Sequence, residues 1–170
     1  MQLTNESGDD MAPSWSRDGK WVYFISKRTG RDEVWKVSAE GGKAVPVTRT
    51  GGRAALESPD GKSIYYTKGD YRQSLWKMPV SGGEESQVLS SLHPRDFFVV
   101  NEGIYFITGP GADRKCSIQF LSFAAGKVTT VALMSSWSYE GLSVSPDGRS
   151  LLFSQFDDVS SDLMLVENFH

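Results

Sequence analysis

The sequence predicts an all-β protein made of four copies of one four-stranded antiparallel unit, and three observations carry that expectation. An acidic residue followed by glycine recurs at Asp18-Gly19, Asp60-Gly61, Glu102-Gly103 and Asp147-Gly148, at intervals of 42, 42 and 45 residues. A second landmark keeps the same step. In EVWKV, SLWKM, SIQFL and DLMLV the residues Val34, Leu75, Ile118 and Leu163 hold equivalent places, and Val34 lies 129 residues from Leu163, as Asp18 does from Asp147. Third, no long stretch shows the three-and-four apolar spacing of a helix without Gly or β-branched interruption. A repeat near 42 residues suits one blade of a β-propeller, whose sheets bury their faces against one another.

Each unit divides into four short strands, a to d. In the first, APSWS leads through RDG to KWVYFIS, a longer loop reaches EVWKVS, and AEGG turns into KAVPVT. The period-two alternation is that of strands facing a neighbour on each side. In SPDG, Pro presets the first central dihedral, Asp suits the second, and Gly takes the left-handed position. A Cβ there costs about 1–2 kcal/mol, so Gly19, Gly61, Gly103 and Gly148 are all expected to be left-handed turn glycines. Trp35 and Trp76 occupy one place in strand c, where Met164 stands in the fourth unit; that spacing predicts packing between neighbouring blades.

The units fall at about 5–48, 49–90, 91–132 and 133–170. The last ends in strand c, while Thr4 of MQLTN aligns with Thr48 of VPVTR. Residues 1–4 therefore read as a strand d able to complete the last blade, which removes an exposed edge. A four-bladed ring, the last blades of a larger propeller, and a homo-oligomer that completes a larger ring all fit this pattern.

Composition narrows the function classes. The 170 residues, 39% apolar and 23% charged, suffice for one domain with a true core. A formal charge of −3 without a basic cluster argues against a nucleic-acid partner. The lone Cys116 excludes an internal disulfide and a multi-cysteine zinc site. No apolar run spans a bilayer, and the N-terminal stretch lacks a basic-then-apolar leader, so membrane insertion is not expected and both periplasm and cytoplasm stay open. The acidic pairs Asp9-Asp10 and Asp157-Asp158 lack the ligand spacing of a calcium loop, and no metal or cofactor is expected.

No Gly-x-Ser-x-Gly elbow or phosphate loop is present, and the only histidines are His93 and His170. A Ser-His-Asp set would have to rest on His93. No catalytic residue is therefore assigned, and Asn5 of NES is a weak glycosylation match. In a four-stranded meander the b–c and d–a loops share one face, and these loops are rich in Arg and aromatic residues. Arg28, Arg31, Arg53, Tyr71, Arg72, His93, Arg95, Arg114, Trp137 and Tyr139 form the candidate rim for a protein or peptide partner.

The segments PSWSRDGKWVYF, SPDGKSIYY and SPDGRSLLF resemble the WD40-like propeller repeats of the TolB type, widespread in bacteria, and the likeness covers nearly the whole chain. VSSDLMLVENFH with RTGRDEVWKVSAEGG is similar to the C-terminal part of large bacterial proteins. In those, a propeller follows a winged-helix regulator, a kinase domain or a membrane segment. The resemblance implies the fold and assigns no residue a role. The expected function is a non-catalytic binding or scaffold module; the alternatives are an accessory gating propeller of a larger hydrolase and a fragment that assembles into a ring.

Overall fold

Strands and turns account for all regular structure among the described residues, and no helix occurs there. A computed structural model describes residues 1–6, 8–70, 72–109, 115–157 and 160–167, with the backbone alone at 139, 140, 157 and 160–162. The chain divides into two units, Met1–Ser90 and Ser91–His170. The first holds two four-stranded sheets. One is β1 (Asp10–Trp15), β2 (Trp21–Ser26), β3 (Glu33–Ser38) and β4 (Val45–Pro46); the other is β5 (Arg53–Glu57), β6 (Ser63–Lys68), β7 (Gln73–Pro79) and β8 (Ser86–Leu92). The second holds β9 (Phe97–Val99), β10 (Gly103–Ile107), β11 (Ser117–Ser122) and β12 (Val128–Leu133), then a three-stranded sheet of β13 (Ser138–Val144), β14 (Ser150–Asp157) and β15 (Ser160–Glu167). Strands follow chain order in every sheet and the paired strands are antiparallel, the meander of a propeller blade.

The register explains which residues are apolar. Tyr23 pairs with Lys36, Phe24 with Trp35 and Ile25 with Val34. One face of the first sheet thus gathers Val22, Phe24, Trp35 and Val37, against which Leu3 packs. The opposite face gives Tyr23 and Val34 to a shared layer with Ala55, Ile64 and Tyr66 of the second sheet, with Trp76 at its margin. Trp76 packs between two sheets as the spacing predicts, whereas Trp35 packs on the other face of its own sheet beside Leu3. Burying each such side chain contributes about 1.5–3 kcal/mol. In the second unit, Ile107, Cys116 and Ile118 of the third sheet's side meet Leu142, Leu151 and Phe153 of the fourth.

Three of the four a–b turns share one design. Ser16 Oγ donates to Asp18 Oδ1 at 2.7 Å and accepts from the Trp21 amide at 2.9 Å, while the Lys20 amide donates to Asp18 Oδ1 at 3.0 Å. Ser58 with Asp60 and Ser145 with Asp147 repeat it. Gly19, Gly61 and Gly148 have φ of 68°, 67° and 71°, as expected.

Gly103 departs from that expectation. Its φ is outside the left-handed region, and the Val100 amide donates directly to Gly103 O at 2.9 Å. The hairpin closes over Asn101 and Glu102 alone, two residues fewer than between Ser16 and Trp21. Glycine is needed at 103 for close approach instead: a Cβ would meet Phe120 ring carbons at 2.6 and 2.8 Å and the Leu121 carbonyl oxygen closer still. The shared letters hide two different turns.

Strand a carries another repeated feature that the sequence analysis did not anticipate. Ala12 (φ 49°), Ala54 (φ 26°) and Gly141 (φ 140°) sit at register shifts in β1, β5 and β13, and Arg95 (φ 61°) just precedes β9. Such bulges turn the strand end and redirect its side chains.

Residues 1–5 form no strand. Among the described residues of the fourth sheet, Leu152, Leu163 and Leu165 are 42%, 75% and 59% exposed, whereas Tyr23 and Val34, the counterparts of the first two on the first sheet, are 1% and 0% exposed. Among the described residues, no helix is long and apolar enough to cross a membrane.

Candidate functional site

The expected rim lies at the ends of β2 and β3, β6 and β7, β8 and β9, and β12 and β13. Within the first unit three of its four arginines are tied into ion pairs. Arg28 is 7% exposed; its guanidinium donates to Asp10 at 2.9 and 3.0 Å, to Glu6 Oε2 at 2.8 Å and to Ser26 Oγ at 3.0 Å. It also lies over the rings of Trp35 and Phe24, at 4.8 and 5.2 Å from their centroids. Burial pushes the Asp10 carboxyl up, but hydrogen bonds from Ser26, Thr4 and Arg28 outweigh it and hold the group below the usual carboxylate range. Arg28 thus holds the first sheet together, which corrects its expected place in a partner-facing rim.

Arg31 and Arg53 are anchored from below. Glu33 is 2% exposed and accepts from Thr48 Oγ1 at 2.6 Å, the Gly51 amide at 3.0 Å and Arg31 Nε at 2.6 Å. Arg31 also donates to the Arg49 carbonyl, yet its side chain is 61% exposed. Arg53 bridges Asp32 and Asp70, the latter at 2.9 Å, tying the b–c loops of the two sheets. Arg72 is exposed at the same end of β7. Nearby, Glu85 accepts from Tyr66, Lys68 and Thr50, and Lys68 Nζ stands 4.5 Å from the Trp76 ring centroid.

In the second unit the organising group is Asp96, fully buried. Its Oδ2 meets His93 Nδ1 and accepts from Ser138 Oγ, each at 2.6 Å, and its Oδ1 accepts from the Gly141 amide at 2.6 Å. His93 is 18% exposed. The left-handed Arg95 sits inside this turn, where the His93 amide donates to Ile107 O and the Ile107 amide to Asp96 O. These are the three residue types of a hydrolytic triad in a different order. A nucleophilic serine must give its proton to the histidine, whereas the Ser138 proton goes to the aspartate. The arrangement pins the β8–β9 turn to β13. Trp137, just before β13, is 49% exposed. Tyr71 and Arg114 lie outside the described residues, as do the Tyr139 side chain, Asp158, His170 and the Asp157 side chain.

Among the described residues, no group of three His, Cys, Asp or Glu side chains is placed to hold a metal ion. Burial raises the Cys116 thiol above its ordinary value, and the side chain belongs to the core.

The buried acids are absent from the residues expected from sequence. Glu57, 5% exposed, accepts from Tyr23 OH at 2.5 Å and from the Arg17 amide at 2.8 Å; burial first, then this carboxylate, raises the Tyr23 phenol. One signal existed: Glu57 stands in strand a where Trp15, Val99 and Val144 occupy the equivalent places.

Comparisons with known proteins agree with this architecture. The chain is 32% identical over 71 residues to an uncharacterized protein of Agrobacterium fabrum, Atu1656, covering 41% of this chain and 24% of that protein. TolB from Acinetobacter baumannii superposes with a TM-score of 0.78 at 19% identity, over 94% of this chain and 41% of TolB. A prolyl endopeptidase superposes with a TM-score of 0.64 at 16% identity, over 93% of this chain and 26% of the enzyme. The chain spans less than half the length of each of these proteins. A fold common to a TolB protein and a peptidase does not by itself select an activity. Residues 1–97, more than half of the sequence, match the family model of the TolB beta propeller domain, and the chain belongs to that family.

Proposed function

We propose that this chain is a non-catalytic propeller module that binds a protein or peptide through its b–c and d–a loops. The observation that carries the reading is the anchoring of those loops. Buried Glu33 and Asp96 hold their turns from beneath, while Arg31, Arg72 and Trp137 stay toward solvent. Loops fixed before binding lose little conformational freedom on capture, and Arg and Trp are common interface anchors. The peptidase neighbour keeps an accessory role beside a hydrolase as the rival, and a hydrolase domain in the same polypeptide would favour it. In the full chain, Arg72→Ala with Trp137→Ala should abolish partner capture by photo-crosslinking at unchanged thermal stability. Equal capture by the double variant refutes the reading.

The exposed leucine face favours a second reading, assembly with another copy into a larger ring. Leu163 and Leu165 stand in the register of Val34 and Lys36, on the side that the first sheet turns toward its neighbour. Sedimentation that stays monomeric at all concentrations removes it.

A further inference from the structure

The a–b turn end of the second unit holds a cleft of about 960 Å³, floored by Tyr105 and Phe120, walled by Thr129 and Thr130, and rimmed by Glu102 and Asp147. Its counterpart in the first unit, between the first two sheets, measures about 420 Å³. Strand register makes the two comparable. Trp21, Tyr23 and Lys36 on the first sheet correspond to Gly103, Tyr105 and Phe120 on the third, because Tyr23 pairs with Lys36 as Tyr105 pairs with Phe120.

The first cleft contains its own cations. Lys36 Nζ lies 4.7 Å from the Trp21 ring centroid, and the Arg17 guanidinium donates to the Glu57 carbonyl at 3.4 Å. The third sheet has lost both. Its shortened turn has no residue in the place of Arg17, and Phe120 replaces Lys36. Gly103, stripped of the ring that Trp21 supplies, lets Phe120 settle against the strand. Tyr105 and Phe120 then stand 4.5 Å apart, tilted by 37°. The acids remain. Asp147 is held below the usual carboxylate range by Ser145 Oγ and the Arg149 amide, and no Lys or Arg is among the described lining residues.

We propose that this cleft binds a cationic side chain, Arg or Lys, of a peptide partner, which stacks on the Tyr105–Phe120 floor between Glu102 and Asp147 and replaces the internal cation of the first sheet. Aromatic faces attract cations, and two flanking carboxylates add to that attraction while repelling anionic ligands. The site lies at the opposite end of the strands from the b–c loops, so it stands or falls independently of the rim proposed above.

The test is fluorescence anisotropy of the whole chain with a fluorescein-labelled Gly-Arg-Gly-Arg-Gly amide and its neutral citrulline counterpart. Saturable binding is expected, weaker by roughly tenfold for citrulline and for Phe120→Lys, which restores the arrangement of the first sheet. Should Phe120→Lys not fold by circular dichroism, Glu102→Gln on the exposed rim decides, with a loss of about threefold. Arg72→Ala should leave this affinity unchanged. Absence of saturable binding overturns the proposal, as does equal affinity for the citrulline peptide, or affinity that survives the folded variant.

Discussion

Gly103 and Gly148 offer the sharpest test of the fold argument, because both follow an acidic residue in an a–b turn of the same unit yet are glycines for different reasons. At Gly148 a Cβ would meet nothing within 4 Å, and the whole penalty is the left-handed φ of 71°. Gly148→Ala should therefore cost about 1–2 kcal/mol, and Gly148→Asn clearly less, since Asn tolerates that region. At Gly103 the backbone is unstrained, but a Cβ would strike the Phe120 ring at 2.6 and 2.8 Å and the Leu121 carbonyl of the paired strand. A carbonyl within a sheet ladder cannot move without breaking its pairing, so Gly103→Ala should cost about 3 kcal/mol or more. Asn at 103 should be no better than Ala. Urea unfolding at constant m resolves the four variants by their midpoints. If Asn rescues both positions alike, or Gly103→Ala is the milder change, the two-residue hairpin is wrong.

Two further predictions concern the ion pairs. Arg28→Lys keeps the charge but loses the fork on Asp10 and Ser26 and the stacking on Trp35, and should cost about 2 kcal/mol in unfolding free energy with partner capture unchanged; a silent substitution refutes its buried role. Glu85 is pushed up by burial but, on balance, lowered by hydrogen bonds from Lys68, Tyr66 and Thr50 and by the charge of Lys68. A carboxyl lowered in the folded state contributes stability above its unfolded pKa and loses it as pH falls through the folded one. Denaturant midpoints should thus drop between about pH 5 and pH 3, less steeply in Glu85→Gln; parallel curves for the two proteins refute this.

The sheets were legible because their causes are local. Alternation in KWVYFIS and EVWKVS dictates which faces bury, and the Ser-x-Asp-Gly turn is held by side chains within six consecutive residues. The third turn was misjudged for the same reason. Gly103 answers to Phe120 and Leu121, seventeen or more residues away, and nothing in NEG reveals that. The candidate rim suffered likewise. Whether an arginine faces solvent depends on acids brought by other strands, as Asp10 is to Arg28 and Asp32 to Arg53. Arg72 and Trp137 were legible as exposed loop residues; the inward turn of Arg28 was not.

Repetition makes divergence measurable, since each position has counterparts in the same chain. Where Lys36 stands in the first sheet, the second has Lys77, the third Phe120 and the fourth Leu165, paired in the same register with Tyr23, Tyr65, Tyr105 and Leu152. In the first sheet the lysine Nζ stands 4.7 Å from the Trp21 ring centroid. Substituting a ring removes that cation while leaving the turn acids in place, and substituting leucine leaves a 59% exposed apolar side chain. The leucine does not improve the sheet that carries it, because exposed apolar surface gains nothing from folding. Positions where one copy abandons the arrangement its siblings share are the ones to probe for an external partner. By that criterion the Phe120 cleft and the Leu163–Leu165 face rank above the arginine-rich loops, most of whose charges are already matched within the chain.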